Sequence, residues 1–182
     1  MERSYIAKNG KQYRLGLVIG RFQPFHLGHK SIVDFALKIC GRVIIGIGSS
    51  QESGTSTNPF DVRLRKRAIE ACLKDSGVDM SRVIFSFIPD FHNDDEWLEY
   101  IKNKHHGINI VISGNDWVKS IFERRNVNVV KPPDFKPGIV RGTVIRDLMK
   151  KGERWEHLVP KSTLEVIERN MKSAGYGNSK IK

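Results

Sequence analysis

Cysteine is scarce: Cys40 and Cys72 are the two in 182 residues. Both fall on apolar positions of expected helices, which suits buried free thiols in a reducing cytosol and argues against a disulfide framework. Neither has a Cys or His at ligand spacing, so no zinc site is expected. Long apolar runs are also missing. The longest near the start, "LGLVIG", has six residues before Arg21, too short for a signal-peptide core or a membrane span. A soluble cytoplasmic protein without a membrane partner is the expectation. Acidic residues are in deficit, 20 against 31 Lys and Arg. A partner rich in phosphate fits that balance, although a basic solvated surface would account for charge alone. No G-x-x-x-x-G-K-[ST] occurs, which excludes a Walker-type nucleotide hydrolase. "GIGSSQ" at Gly46 to Gln51 has Gln51 where the third glycine of a dinucleotide fingerprint belongs, and reads instead as a tight turn.

What is present is a repeating pattern. Apolar runs rich in Val and Ile, "LGLVIG", "RVIIGIG", "RVIFSFI", "INIVIS" and "VNVV", have the length and spacing of buried parallel strands. Between them Ile32, Val33, Ala36, Leu37 and Cys40 recur at helical spacing, as do Ala68, Ile69, Cys72 and Leu73. Shorter amphipathic pieces follow in "DDEWLEYIKNK" and "DWVKSIFERR", and two C-terminal helices in "TVIRDLMKKG" and "PKSTLEVIERNMKS", with Pro160 suited to a first turn. The alternation predicts an α/β fold: a Rossmann-like, doubly wound, mostly parallel five-stranded sheet with C-terminal helices. One domain is expected over residues 1–182, with 1–14 a flexible or edge segment and 174–182 a fraying tail.

In such folds ligands bind beyond the carboxyl ends of the strands. "GRFQPFHLGHK", Gly20 to Lys30, lies at that end of the first strand. Gly28 lets backbone amides approach a ligand, and the helix start that follows offers free N–H groups and partial positive charge. Two imidazoles beside it, His26 and His29, can donate to phosphate oxygens or carry charge. A surface pair or half of a metal site would use the same letters. Farther along, "RGTVIR" makes Thr143 a candidate helix cap with Arg146 one turn on, a second anion site or an exposed helix charge.

"GRFQPFHLGH" with the distal "GTVIR" resembles the (H/T)xGH and (S/T)-x-x-x-x-R signatures of the nucleotidylyltransferase superfamily. "IGIGSSQESGTSTNPF", "SGNDWV" and "GTVIRDLM" extend the similarity to archaeal-type nicotinamide-nucleotide adenylyltransferases, collinearly over roughly Leu15 to Arg169. The resemblance implies transfer of adenylyl from ATP to the phosphate of nicotinamide mononucleotide (NMN), giving NAD and pyrophosphate. It implies ATP contacts at Arg21, Phe22, His26, Gly28, His29, Ser113, Gly114, Asn115, Thr143 and Arg146. Among these Arg21, His26, His29 and Arg146 would carry the catalysis. Mg²⁺ would be held mainly by the phosphates, with no protein metal site.

On the acceptor side the resemblance points to "DFHNDDEW", with Phe91, Asn93 and Trp97 as NMN contacts. Trp97 offers a face for a pyridinium ring, or is a core residue of a short helix. Asn93 matches a carboxamide. Two departures from the family pattern stand out. "NPFDVRLR" has Asp61 in place of a small hydroxyl residue and Leu64 in place of a glutamate, and Arg141 replaces a serine before "GT". Asp61 can still cap a helix, and Arg141 either strengthens triphosphate binding or faces solvent. A homo-oligomer is expected, and nucleic acid is not, since acidic residues are interspersed and no RNA-recognition or helix-turn-helix signature occurs. Competing readings are a superfamily enzyme with another acceptor, such as phosphopantetheine or flavin mononucleotide, and a non-catalytic nucleotide- or nucleic-acid-binding protein.

Overall fold

Val, Ile and Leu fill the strands because both faces of a central parallel strand are covered, so no alternation with polar residues is needed. The computed structural model describes residues 12–133, 135 and 140–173. It contains β1 (Tyr13–Gly20), α1 (Leu27–Ile39), β2 (Cys40–Ile47), α2 (Val62–Asp75), β3 (Val83–Phe87), α3 (Asp94–Lys104), β4 (Ile110–Ile112), α4 (Asp116–Glu123), β5 (Val129–Val130), α5 (Gly142–Lys151) and α6 (Lys161–Ser173). The strands form one sheet in the order β3-β2-β1-β4-β5, parallel throughout. The order reverses at β1, as a doubly wound sheet requires. The fold class matches the expectation, with an all-parallel sheet. β1 starts at Tyr13, so the last residues of the expected flexible segment are strand; the fraying tail at 174–182 lies outside the described residues.

The described residues divide into two compact units interleaved in sequence. The first comprises the described residues through Gly20, Ile32–Gly48 and Ser81–Pro133, and holds the whole sheet. Its core joins Leu17 of β1, Ile44 of β2 and Val111 of β4 to Trp97, Leu98 and Ile101 of α3 and to Val118, Ile121 and Phe122 of α4. Arg82 ties the end of α1 to the start of β2, its Nη2 donating to the Leu37 and Cys40 carbonyls at 2.5 and 2.9 Å and its Nε to the Gly41 carbonyl at 2.9 Å. Cys40 is a buried free thiol, and burial pushes it up to about 11.

The second unit comprises Arg21–Ser31, Ser49–Met80 and the described residues after Pro133. It is helical, with a core of Phe60, Leu64, Ile145, Met149, Trp155, Leu158, Val159 and Ile167. Asp61 caps α2, accepting from the Arg63 and Leu64 amides at 2.8 and 2.9 Å. Leu64, one of the departures from the family pattern, is 2 % exposed and packs in that core. Cys72 is buried and free on α2. α6 lies against α2, and Thr163 Oγ1 donates to the Ala68 carbonyl at 3.1 Å. Pro160 stands just ahead of α6, and its carbonyl accepts from the Leu164 amide, so it caps the helix from outside the first turn.

Trp97 is 6 % exposed, edge-on to Phe122 at 5.9 Å, and forms part of the sheet unit's core. Trp97→Ala is therefore expected to cost about 3–5 kcal/mol of stability, measured as a lowered urea midpoint with the slope unchanged.

Candidate active site

The segment after β1 turns sharply. Phe22 adopts a left-handed φ of 52°, rare for a residue with a Cβ. A ring of bonds holds it. Arg65, 2 % exposed on α2, donates from Nη1 to the Arg21 carbonyl at 2.8 Å and from Nη2 to the Ser49 carbonyl at 3.0 Å. Ser49 is itself left-handed at 46° and accepts from the Glu52 amide, so "GIGSSQ" is the tight turn its glycines suggested. Gln23 is 1 % exposed, and its amide pairs both ways with the Phe60 backbone, donating at 2.8 Å and accepting at 3.0 Å.

From that base α1 begins with a reciprocal histidine pair. The His29 amide donates to Nδ1 of His26 at 3.2 Å, and the His26 amide donates to Nδ1 of His29 at 3.4 Å. His26 is thus the side-chain cap of α1, a role usually taken by Ser, Asp or Asn. The imidazoles stack at 3.6 Å with 19° between their planes, and the His29 ring meets Phe22 edge-on at 4.8 Å and stacks on Phe25 at 5.9 Å. Gly28 makes the pair possible. A Cβ there would stand 3.1 Å from Cε1 and 3.2 Å from Nδ1 of His26.

Each Nδ1 accepts a backbone proton, so each neutral ring carries its own proton on Nε2. Burial pushes His26 down to about 4. His29 is held well below 6.5 by burial and then by His26, against a weaker backbone contact at Pro24. Of the two options left by the sequence, the rings are neutral Nε2–H donors rather than positive charges.

A consequence for stability follows from the sign of these shifts. Between pH 6.5 and about 4 the unfolded chain binds a proton at His26 that the folded chain refuses, so stability falls as pH falls through that window. The loss at pH 5 is about 2 kcal/mol from His26, and His29 acts in the same direction. Chemical denaturation of wild type at pH 7 and pH 5, beside His26→Asn, checks it: the wild-type loss should exceed that of the variant, and equal losses refute a neutral buried ring.

Positive charge comes from two arginines. Arg146, on the first turns of α5, is 7 % exposed and donates from Nη1 to the Gln23 carbonyl at 2.8 Å. Its pKa is lowered by burial and then by Arg21, which places the two cations within electrostatic reach. Thr143 is not the cap. The cap position is Arg141, which supplies no side-chain bond, so the α5 start keeps backbone N–H donors exposed to a ligand. A residue with a Cβ at position 142 would meet Nη1 of Arg146 at 3.1 Å and the Gln23 carbonyl at 3.3 Å, which explains the glycine. The Arg141 side chain is exposed at the head of this helix.

Arg21, His26, Gly28, His29 and Arg146 therefore lie in one unit with two helix starts and no carboxylate capping either. That is equipment for a polyphosphate. A family model described as cytidylyltransferase-like matches residues 17–179. The chain belongs to the cytidylyltransferase-like family. A Pyrococcus horikoshii protein named nicotinamide-nucleotide adenylyltransferase is 39 % identical over 84 % of this chain and 82 % of its own. One of the same name from Saccharolobus solfataricus is 38 % identical over 84 % and 88 %. In structure, the chain resembles a bifunctional NMN adenylyltransferase/ADP-ribose pyrophosphatase from Francisella tularensis, with a TM-score of 0.80 and 26 % identity over 90 % of this chain. The chain spans about half the length of that protein, 51 %. A second structure of the Francisella protein, with a TM-score of 0.75, holds AMP and a manganese ion.

Of the family's remaining expected positions, Phe91, Asn93, Trp97, Ser113, Gly114 and Asn115 lie in the sheet unit and Phe22 in the helical one. Ser113 is 7 % exposed, and its Oγ accepts from the Asn115 amide at 3.0 Å, while Asn115 caps α4 through the Trp117 and Val118 amides. Their side chains shape the turn after β4, and Gly114 leaves it open, with nothing within 4 Å of a would-be Cβ. Asn93 caps α3, its Oδ1 accepting from the Glu96 amide at 2.8 Å. Its amide N–H₂ remains to donate. Phe91 is 36 % exposed against Tyr100, and Phe22 is 1 % exposed, so Phe22 serves His29 through its ring and could meet ATP only through its backbone.

Sequence reasoning did not single out Gln23 or the bracing role of Arg65. The sequence signal existed for both, as a polar residue inside an apolar turn and an Arg among the apolar positions of α2.

Proposed function

We propose that this family member is an adenylyltransferase that joins ATP to NMN, forming NAD and releasing pyrophosphate. The observation that carries the reading is the stacked, reciprocally bonded pair of imidazoles at the start of α1, with Arg146 anchored on the Gln23 carbonyl. The names of the archaeal relatives support the choice of nucleotides.

In this reading an NMN phosphate oxygen attacks the α-phosphorus of ATP in line. The bond from that phosphorus to the β-bridging oxygen breaks, and its electron pair leaves on pyrophosphate. The attacking phosphate has a second pKa of about 6, so it needs little help from a base. Catalysis is then positioning and charge stabilisation. His26 and His29 donate to oxygens of the reacting phosphates through Nε2–H, and the neutral rings keep that proton, acting as hydrogen-bond donors rather than general acids. Arg21 and Arg146 supply the charge, and the open start of α5, including Thr143, holds the outer phosphates. Ser113, Gly114 and Asn115 form the adenosine-side turn, while Phe91, Asn93 and Trp97 define the acceptor side. Mg²⁺ enters with the nucleotide as part of the substrate. Among the described residues no three His, Cys, Asp or Glu side chains come together to hold a metal, and the arginine-rich site suits a metal carried by phosphates.

The reading also expects a cytoplasmic homo-oligomer that does not use nucleic acid. Among the described residues no helix is long and apolar enough to cross a membrane. The test is pyrophosphate release from ATP and Mg²⁺ with NMN, phosphopantetheine or flavin mononucleotide as separate acceptors. Release with NMN and the appearance of NAD are expected. Release with another acceptor alone would keep the phosphate site and overturn the acceptor; no release would overturn both.

A further inference from the structure

Among the described residues, Phe22, Ser49 and Asn126 hold a left-handed φ without being glycine. Asn tolerates that conformation, whereas Phe and Ser adopt it at a cost. Phe22 stands two residues beyond the end of β1 and Ser49 two residues beyond the end of β2, strands that are neighbours in the sheet. One side chain serves both. Arg65 donates from Nη1 to the carbonyl of Arg21, the residue before Phe22, and from Nη2 to the carbonyl of Ser49 itself. With 2 % of its surface exposed, this guanidinium is spent on the chain rather than offered to a ligand.

A left-handed residue with a Cβ persists only where its surroundings over-determine it. The start of α2 does so for the turn between β1 and α1, gripping it at two points: Arg65 on the Arg21 carbonyl, and the Phe60 backbone, just ahead of the Asp61 cap, on the Gln23 amide. What the turn carries is aimed by it. The Phe22 ring meets His29 edge-on at 4.8 Å, and the Gln23 carbonyl accepts from Nη1 of Arg146 at 2.8 Å. All of these groups lie in the helical unit. A Phe22 relaxed to negative φ would re-aim the peptides on either side of it, and with them the imidazole that leans on its ring and the guanidinium held by the Gln23 carbonyl.

We infer that Arg65 is a positioning residue for the transfer step: through the Arg21 carbonyl it holds Phe22 in its left-handed conformation, and so keeps His29 and Arg146 aimed at the same phosphates. The inference rests on the adenylyl-transfer reading for its chemistry. It places the defect of an Arg65 variant in turnover rather than in binding. Arg21, Arg146 and the two helix starts remain when Arg65 changes, so the nucleotide still binds, whereas a misplacement of ~1 Å at the reacting groups costs about 10²-fold in rate. Lysine in its place keeps the charge but lacks the planar fork that serves two carbonyls at once.

The experiment compares wild type, Arg65→Lys and the double variant Arg65→Lys with Ser49→Gly, in urea unfolding and in steady-state kinetics with ATP and whichever acceptor wild type uses. Rates are measured where the unfolding curves show each protein folded. Arg65→Lys should lose about 10²-fold in kcat, with the KM values for ATP and acceptor within about threefold of wild type, and its urea midpoint should fall. Glycine takes a left-handed φ without steric cost, so adding Ser49→Gly should return the midpoint toward wild type. The Arg21 carbonyl still lacks its fork in the double variant, so kcat should stay about tenfold or more below wild type. A kcat within about threefold of wild type in folded Arg65→Lys, a defect confined to KM, or recovery of kcat together with the midpoint in the double variant would each overturn the inference. Failure of both variants to fold would assign Arg65 to stability alone and overturn it as well. Pyrophosphate release with an acceptor other than NMN would overturn the choice of acceptor and leave the Arg65 comparison intact; no release from wild type with any acceptor would overturn the adenylyl-transfer reading and this inference with it.

Discussion

His29→Ala is expected to lower kcat by about 10²–10³-fold, with the KM for NMN changed by less than about threefold. The size follows from what the ring does. Its Nδ1 already accepts the His26 amide, so in the proposed reaction Nε2–H would be the donor to charge developing during transfer. Burial and the neighbouring His26 keep it neutral, so its hydrogen bond strengthens with the negative charge on the phosphate oxygen and adds little to ground-state binding of the acceptor. Removing the ring also frees the edge of Phe22 at 4.8 Å and the face of His26 at 3.6 Å, so some stability is lost as well. His29→Gln separates the effects, since it keeps an N–H donor and loses the stacking. Single-turnover rates for the two variants are the measurement. Near-normal turnover in His29→Ala would remove His29 from the chemistry, and equal defects in both variants would assign its role to packing.

The strands were legible because their environment is uniform. β2 is buried on both faces, so Val43, Ile44, Ile45 and Ile47 form an almost unbroken apolar run, and its shortness and β-branched residues mark it as strand. The arrangement of the histidine motif was legible, because a glycine, two imidazoles and a helix start coincide in four residues, which is what suggests a phosphate site. Its charge state was not. Neutrality depends on burial and on which nitrogen faces a backbone amide, and neither is written in residue type. The cap of α5 misled for a related reason. Thr is a good cap in isolation, but the helix starts at Gly142 with Arg141 in the cap position, and a Cβ at 142 would sit tightly against Gln23 and Arg146. Phe22 carries a left-handed φ where a glycine would be the usual signal, and the bonds that hold it come from Arg65, forty-three positions later. The two tryptophans were separable in principle. Trp97 shares a helical face with Leu98 and Ile101, whereas Trp117 stands off the face of Val118, Ile121 and Phe122. The family pattern drew attention to the first, and the burial of the two rings, 6 % and 49 % exposed, agrees with their faces.

Arg146→Ala should reduce kcat/KM for ATP by about 10²–10³-fold and also destabilise the fold. Two separate physical losses meet at this residue. The Gln23 carbonyl, on a residue 1 % exposed, would lose its guanidinium donor, and an unpaired buried carbonyl costs about 1–3 kcal/mol. The site would also lose the cation that burial and Arg21 already place under electrostatic stress. That stress has a use: burial and Arg21 outweigh the opposing effect of Asp147 on Arg146, so a polyphosphate that meets both cations gains more than from either alone. Binding of pyrophosphate should therefore stabilise wild type markedly, by about 2.7 kcal/mol at one hundred times its Kd, and should do little for Arg146→Ala. Arg146→Lys discriminates further, since it retains charge but lacks the planar fork that serves the Gln23 carbonyl and a phosphate together. Partial recovery of pyrophosphate stabilisation with little recovery of kcat is expected for the lysine variant. If Arg146→Ala were stabilised by pyrophosphate as strongly as wild type, Arg146 would be a brace for the Gln23 turn, and the charge that draws the triphosphate would have to come from Arg21 and the helix starts alone.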